Sequence, residues 1–379
     1  MKNKNILDQK MVAMSGGFAV GKALEQISPD VMAVYPITPQ TPIVEYFAKQ
    51  KSDGVIDTEI IPVESEHSAM SACIGACASG ARTATASSSQ GIMYMMEVLP
   101  IASAMRLPIL MAVANRAISG PINIHADHSD AMAMRDFGWI QIFSENVQEA
   151  YDHTLIAMKI AEKAMLPTAI NLDGFITSHS VENLEIISDK KVQKFIGRYL
   201  PKQTLFDFSH PKTFGPLALP DSYFEFRKQI FDAMEKTREI FPGILGSFGR
   251  ISGREYEMVE RYKVKGAEKI IVAMGSVCGT IKELIDDLAS EGTKIGLVKV
   301  RLFRPFPYDE VRKAIGKNKE VIVLDRNLAF GTKQVLAGEV ESAIGRGVRS
   351  FVYGLGGRDI FKKQIKSVVL GKAKSGFVM

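Results

Sequence analysis

Apolar residues fall along this chain in short unbroken runs separated by longer amphipathic stretches. The stretches at 31–35, 60–63, 108–114 and 168–172 have strand length, and 82–86 also reads as a strand. Residues 41–49, Glu66–Ala78, 90–105 and 147–165 carry helical spacing, and a short strand at 11–15 and a helix at 17–27 precede them. Strands alternating with helices predict an α/β fold, a parallel sheet covered on both faces. Residues 115–135 read as loop. Residues 180–223 hold Pro201, Pro211, Pro216 and Pro220 without a clear period and read as a long excursion. Residues 224–240 and 254–263 read as charged, solvent-facing helices that bridge domains. From 269 the alternation resumes, with strands at 270–274, 294–300, 321–324 and 350–353 and helices at 280–289, 308–314, 333–343 and 359–368. The pattern divides the chain into a domain over 1–245 that carries the excursion and a second, smaller α/β domain over 246–379. It shows no internal repeat and no low-complexity tract.

Composition narrows the function classes. A length of 379 residues suits two domains, and 46% hydrophobic content is ample for buried cores. The net charge of +5 is mild, and the basic residues are interspersed with acids, so no nucleic-acid stripe is expected. No apolar run approaches the roughly 20 residues of a membrane span. The start, Met1-Lys2-Asn3-Lys4-Asn5, is not followed by a signal-peptide apolar region. The three cysteines, Cys73, Cys77 and Cys278, form no disulfide framework, which fits a cytoplasmic location. Cys73 and Cys77 lack companion metal ligands and read as small core thiols. Three cysteines also cannot ligate a Cys₄ iron–sulfur cluster.

Candidate chemistry clusters at the predicted strand ends. Val-Tyr-Pro-Ile-Thr-Pro-Gln-Thr-Pro at 34–42 places Pro36, Pro39 and Pro42 in a stiff loop after an apolar strand. Ligands of open parallel sheets bind outside the carboxyl ends of the strands, so Thr38 and Thr41 are hydroxyls on a rigid loop at such an end. The same residues also suit a proline-stiffened helix start. Glu66 stands at a strand-to-helix junction, where a carboxylate can simply partner the helix dipole. The following stretch is rich in Ala, Ser, Gly and Cys and lets a flat ligand or another backbone come close. Beside that surface a carboxyl is partly desolvated, which favours its sharing a proton. Arg116 follows the strand at 108–114 and suits bidentate capture of a carboxylate; a surface ion pair is the alternative. Gly16-Gly17-Phe18-Ala19-Val20-Gly21-Lys22 fits seven positions of a phosphate-binding loop, but Ala23 replaces the metal-holding hydroxyl. Close helix packing explains those glycines better than a nucleotide hydrolase does. His125-Ala126-Asp127-His128-Ser129-Asp130 offers metal-ligand types without a complete set, and the same residues serve as turn and cap residues. No metal site is assigned to this chain. Gly354-Leu355-Gly356-Gly357-Arg358-Asp359 lacks the third glycine of a dinucleotide fingerprint and reads as a turn facing another domain or subunit.

Six motifs in order carry a resemblance. They are Tyr35-Pro36-Ile37-Thr38-Pro39, Glu64-Ser65-Glu66-His67-Ser68-Ala69, Ser87-Ser88-Ser89-Gln90-Gly91, Asn115-Arg116-Ala117-Ile118-Ser119-Gly120-Pro121, Arg135-Asp136-Phe137-Gly138-Trp139 and Leu172-Asp173-Gly174-Phe175. Together they resemble the α subunits of the 2-oxoacid:ferredoxin oxidoreductases, the pyruvate enzymes in particular. Val300-Arg301-Leu302-Phe303-Arg304-Pro305-Phe306-Pro307 and the glycine-rich turn at 354–359 resemble that family's second domain. The resemblance implies a thiamine-diphosphate-binding, pyrimidine-type parallel-sheet domain followed by a smaller domain like the transketolase C-terminal one. It places Glu66 on the aminopyrimidine ring nitrogen, where protonation of the ring makes its amino group a base. It places Pro36, Ser89 and Gln90 beside the cofactor, and Thr38 and Arg116 on the substrate. The chain lacks the Gly-Asp-Gly…Asn pattern that resembles diphosphate–magnesium binding, and it lacks a ferredoxin-like cysteine run. The resemblance therefore implies an enzyme active only with partners. A β subunit would bring the diphosphate site, Mg²⁺ and an iron–sulfur cluster, and γ/δ-type subunits would bring more clusters. Ferredoxin would accept the electrons and coenzyme A the acyl group. The Ser89-Gln90-Gly91 turn and the loop after Arg116 differ from those of the 2-oxoglutarate enzymes. Pyruvate is therefore the expected substrate, ahead of branched-chain 2-oxoacids, phenylglyoxylate and oxalate.

Overall fold

The structure, a computed structural model, describes residues 9–317, 319–373 and 376–378. The reading of Met1 to Asn5 lies outside the described residues. Strand β1 (Gln9–Ser15) runs into helix α1 (Gly16–Ile27). Strand–helix units follow: β2 (Val31–Val34), α2 (Thr41–Ser52), β3 (Glu59–Pro62), α3 (Glu66–Ala78), β4 (Thr83–Ser87), α4 (Ser89–Met95) and α5 (Leu99–Ala104). After them come β5 (Leu110–Asn115), the short α6 (Ser129–Ala133), β6 (Ile140–Phe143), α7 (Val147–Ala164) and β7 (Thr168–Asp173). β8 (Val181–Ile187), α8 (Asp189–Ile196) and the 30-residue α9 (Tyr223–Ser252) link to the second half. That half contains β9 (Val259–Tyr262), β10 (Lys269–Ala273), α10 (Val277–Ser290), β11 (Ile295–Val300), β12 (Leu302–Arg304), α11 (Tyr308–Ile315) and β13 (Glu320–Asp325). It ends with α12 (Val335–Ile344), β14 (Arg349–Tyr353), α13 (Lys362–Val369) and β15 (Phe377–Val378).

The first sheet has the order β12-β6-β7-β5-β4-β2-β3, and the second β15-β14-β13-β10-β11-β9. Strands β2 to β7 run parallel, while β12 and β9 add antiparallel edges. β4, β5 and β7 are buried along their whole length, as a sheet covered on both faces requires. Register sets Ser87 opposite Val113 and Asn115 opposite Asp173, so the carboxyl ends of three central strands meet at one edge. Local signals start the helices. Ser65 accepts from the Ser68 backbone N–H at the head of α3 and Asn146 from that of Glu149 at the head of α7, caps worth about 1 kcal/mol each. One apolar cluster, holding Leu24, Ile156, Phe248, Val298 and Leu336, runs unbroken from the first sheet's α1/α7 face into the second. A separate cluster fills the α3/α5 face, and a third lies under α10 and α13.

The α/β expectation and the second, smaller α/β domain are both met, with differences in detail. The helix expected at 90–105 is two, α4 and α5. The loop at 115–135 contains α6. The excursion at 180–223 begins with β8, which pairs antiparallel with β1 outside the main sheets, and with α8. The helix expected to stop at 240 continues through Pro242 because Phe241, Ile244, Leu245 and Phe248 keep its apolar stripe buried. It thereby crosses the expected division at 245/246. The stretch 254–263 forms no helix and instead contains strand β9 (Val259–Tyr262), Glu260 being paired with buried cations of the neighbouring β11 and the residues after it. β12 leaves the second half of the chain to pair with β6 at the edge of the first sheet.

Candidate functional site

Strand order reverses between β2 and β4. The chain passes outward from β2 to β3, then returns to the other side of β2. Such a switch point opens a crevice at the carboxyl ends of the strands. The 34–42 loop leaves β2 there, the Ser88–Gln90 turn leaves β4, and Arg116 follows β5 next to it.

Glu66 heads α3 and is only 7% exposed. Among the described residues no protein donor or cation reaches its carboxylate. Gly91 in α4 makes room for it, since a Cβ there would sit 2.7 Å from Glu66 Oε1 and 2.4 Å from Ser87 Oγ. The residue is nearly buried, but its carboxylate keeps access to solvent and has no protein partner among the described residues, so it stays available to a ligand that completes it.

Arg116 is buried, and burial lowers its guanidinium from the ordinary range, a shift that nearby Asp130 opposes. Its Nη1 donates to the Thr38 carbonyl at 3.0 Å and its Nε to the Asn123 carbonyl at 2.9 Å. Its Nη2 has no protein acceptor among the described residues, and neither has the hydroxyl of the exposed Thr38. Ser89 is fully buried at φ 46°, a left-handed conformation that costs a serine of order 1 kcal/mol or more. Its hydroxyl bonds the Ala117 carbonyl and the half-buried Gln90. Pro36 is exposed at the crevice mouth.

One residue that the sequence reading placed in a different role binds this edge together. Asp130 is fully buried and accepts from the backbone N–H groups of Ser89 (3.0 Å), Arg116 (2.9 Å) and Ala131 (2.7 Å) and from Asn115 Nδ2 (2.9 Å). Burial pushes its carboxyl up to about 6 against these donors. The legible signal was its cap character, since it heads α6, but nothing in the sequence showed that it reaches two strand ends.

The remainder of the His125 to Asp130 stretch faces the second domain. His128 is buried and lies 2.7 Å from Asp173, which also meets Arg326 Nη1 at 2.9 Å and the Ser276 hydroxyl at 2.5 Å. Burial works against ionisation of Asp173, yet His128, Arg326 and Ser276 hold its carboxyl below the usual carboxylate range. The glycine-rich turn is indeed an interdomain contact: Gly357 N–H donates to the Ala126 carbonyl at 2.7 Å and Asn123 Nδ2 to the Gly356 carbonyl at 3.1 Å. Gly174 is small because a Cβ would meet Pro39 at 2.6 Å, which seats the 34–42 loop against the end of β7.

Two other motifs settle into structural roles. A Cβ at Gly16 would meet the Thr177 carbonyl at 2.2 Å and one at Gly21 would meet Tyr46 at 2.8 Å, so these glycines serve close packing. Cys73 and Cys77 are buried, and burial pushes both thiols up to about 12. Glu145, Glu149 and Glu260 converge in the manner of metal ligands. Lys299 Nζ already stands 2.5 Å from Glu145 and Glu149, Arg301 bridges Glu149 and Glu260, and Lys282 bridges Glu145 and Glu260. Three acids face three bases, and the cluster is an internal ion-pair network. Among the described residues no helix is long and apolar enough to cross a membrane.

A crevice at the switch point of a parallel sheet, with an unsatisfied buried carboxylate, defines a ligand-binding α/β class. Residues 22–244 match the family described as pyruvate flavodoxin/ferredoxin oxidoreductase, thiamine diphosphate-binding, and residues 267–365 match pyruvate:ferredoxin oxidoreductase core domain II. The chain is 52% identical over 362 residues to pyruvate synthase subunit PorA of Thermotoga maritima, covering 94% of this chain and 92% of that one. It is 47% identical to the same subunit of Methanocaldococcus jannaschii (94% and 93%), and 42% identical to ketoisovalerate oxidoreductase subunit VorA of Pyrococcus horikoshii (94% and 92%). Among solved structures, 2-oxoglutarate:ferredoxin oxidoreductase from Magnetococcus marinus superposes with a TM-score of 0.77 at 19% identity. That match covers 96% of this chain, which spans 65% of the solved one. A split-gene transketolase superposes at 0.53 and 12% identity over 93% of each chain. The chain belongs to the pyruvate:ferredoxin oxidoreductase family.

Proposed function

We propose that this chain is the α subunit of a multi-subunit 2-oxoacid:ferredoxin oxidoreductase that converts pyruvate and coenzyme A to acetyl-CoA and CO₂. Residues 1–245 would be its thiamine-diphosphate-binding domain and 246–379 its second domain. The observation that carries this reading is the Glu66 carboxyl, on a nearly buried residue without a protein partner among the described residues, packed against Gly91 of α4 at the end of the sheet where Arg116 also meets Thr38. These residues fit the cofactor, since an aminopyrimidine ring nitrogen is the kind of partner that Glu66 lacks. When bound, thiamine diphosphate supplies the nucleophilic carbon and the electron sink for loss of CO₂ from a 2-oxoacid.

The chain's own residues do the rest. Glu66 holds a proton toward the ring nitrogen, and scarcity of water around it strengthens that hydrogen bond. Pro36, Ser89 and Gln90 shape the cofactor's side of the crevice, and the buried Ser89 keeps the turn from shifting. Arg116, with two of its donors already fixed on carbonyls, turns Nη2 toward the substrate carboxylate, and the Thr38 hydroxyl serves the carbonyl. Charge-assisted bonds of this kind contribute about 1.5–3 kcal/mol each. The relatives are named as subunits. We infer a β subunit bringing the diphosphate site, Mg²⁺ and an iron–sulfur cluster, γ/δ-type subunits with further clusters, ferredoxin as acceptor, and a cytoplasmic location. The test is turnover of a panel of 2-oxoacids by the assembled complex with coenzyme A and a viologen dye. Pyruvate is expected to give the highest kcat/KM. The 42% identity to a ketoisovalerate subunit makes branched-chain 2-oxoacids the competing reading, and a higher kcat/KM for one of them would replace the pyruvate assignment.

A further inference from the structure

The proposed function makes no use of the glycine-rich turn of the second domain, yet a single residue, Asn123, links it to Arg116. We propose that the second domain sets the aim of the substrate-binding arginine, with Asn123 as the positioning residue that carries the coupling from the 354–358 turn to Arg116. The inference rests on the reading that Arg116 binds the 2-oxoacid.

Asn123 acts in two directions. Its main-chain carbonyl accepts from Arg116 Nε at 2.9 Å. Its side chain donates through Nδ2 to the Gly356 carbonyl at 3.1 Å and accepts through Oδ1 from the His125 N–H at 2.7 Å. The seat beneath it has no slack. Gly354, Gly356 and Gly357 have φ values of 61°, 58° and 79°, a region that glycine enters without strain. A Cβ at Gly356 would meet Asn123 Nδ2 at 2.4 Å, and one at Gly357 would meet His125 Cβ at 2.3 Å. Further bonds pin the same loop to the second domain: the His128 N–H donates to the Arg326 carbonyl at 2.8 Å, and the Gly357 N–H donates to Ala126. Arg326 in turn holds Asp173 at the end of β7.

Among the described residues, two groups fix the guanidinium, the Thr38 and Asn123 carbonyls. The first belongs to the crevice itself. The second is placed by the other domain. If Asn123 loses its side chain, its carbonyl is no longer held, and the fork pivots on Thr38 alone. A misplacement of that size weakens capture of a planar carboxylate while leaving the cofactor-facing Glu66 untouched.

The experiment uses the assembled complex carrying Asn123→Ala, Gly356→Ala, both together, or Arg116→Ala. KM for pyruvate, kcat, thiamine diphosphate affinity by calorimetry and the thermal midpoint are measured. Each single variant at 123 or 356 should raise KM about tenfold, with kcat and cofactor affinity within about twofold of native. The double variant should be no worse than Gly356→Ala alone, because removing the Asn123 side chain removes the clash, a non-additivity that independent sites do not show. An unchanged KM in Asn123→Ala, while Arg116→Ala raises it, overturns the inference and leaves the role of Arg116 standing. An unchanged KM in Arg116→Ala overturns both. If Gly356→Ala does not assemble, Asn123→Ala decides alone, and parallel loss of cofactor affinity and KM in that variant also counts against the proposal.

Discussion

Glu66 and Glu149 are almost equally buried, at 7% and 5% exposure, and could hardly be more different. Burial works against ionisation at Glu149, but Arg301 and Lys299 overcome it and hold its carboxyl well below the usual range. Lys299 is 2.5 Å away and Arg301 2.9 Å, and Glu149 also caps the Glu145 backbone N–H. Glu66 has none of this. A charge satisfied by its own chain serves the fold, and here it ties the first sheet's α7 to β11 and the residues after it. A buried acid left without a partner is reserved for something the chain does not contain. Residue type and burial alone would not separate the two; the census of partners does.

The contrast can be broken most sharply at its two ends. Glu66→Gln in the assembled complex should cut decarboxylation about 10²- to 10⁴-fold while the thermal midpoint stays near native, as steady-state kinetics and calorimetry would show. Glu149→Gln should behave oppositely. Lys299 keeps Glu145 and Arg301 keeps Glu260, but the buried network loses one of its three acids, at a cost of about 3 kcal/mol, the low end for breaking a buried pair, read from urea unfolding, with kcat per assembled complex retained. Gly91→Ala sharpens the comparison from the side of Glu66. Its methyl would press on Glu66 and Ser87, and turnover should fall about tenfold or more as the carboxyl is displaced from near-attack geometry.

The smallest effect is in acid stability. His153 lies beside the ion-pair cluster, and burial lowers it to about 3 from 6.5. Its native pKa is depressed, so the unfolded chain takes up the proton first as pH falls, and this contribution to stability is lost between about pH 6.5 and 3. Asp130, raised to about 6, pulls the other way. The clean measure is therefore a difference: the stability gap between native and His153→Gln chains should shift in the variant's favour on going from pH 7 to pH 4. A pH-independent gap would mean that His153 is not the buried neutral group described.

Much of this was legible in the sequence where a single element carries its own signal. The apolar run at β5, the strand–helix alternation around it and the prolines of the 34–42 loop each announce themselves locally. What was hidden depends on partners far away in the chain. β12, three residues long, belongs to the first sheet although it follows β11 of the second. Residues 254–263 look like a charged helix until Glu260 finds Lys299 and Arg301. The helix expected over 224–240 runs on through Pro242, because tertiary burial of Phe241 and Phe248 overrides the local break that a proline favours. At the site, Thr38 and Arg116 were legible as strand-end groups, and the structure brings them into contact. Asp130 was visible only as a turn or cap residue and an incomplete metal-ligand candidate, and Asn123 not at all, because their work consists of bonds to residues at strand ends and in another domain.

The most direct test is a structure of the assembled complex with thiamine diphosphate bound. The account predicts a Glu66 carboxyl oxygen within hydrogen-bond distance, about 2.6–3.2 Å, of the aminopyrimidine ring nitrogen. A Glu66 paired instead with a lysine or arginine of a neighbouring subunit, and the ring held elsewhere, would contradict it.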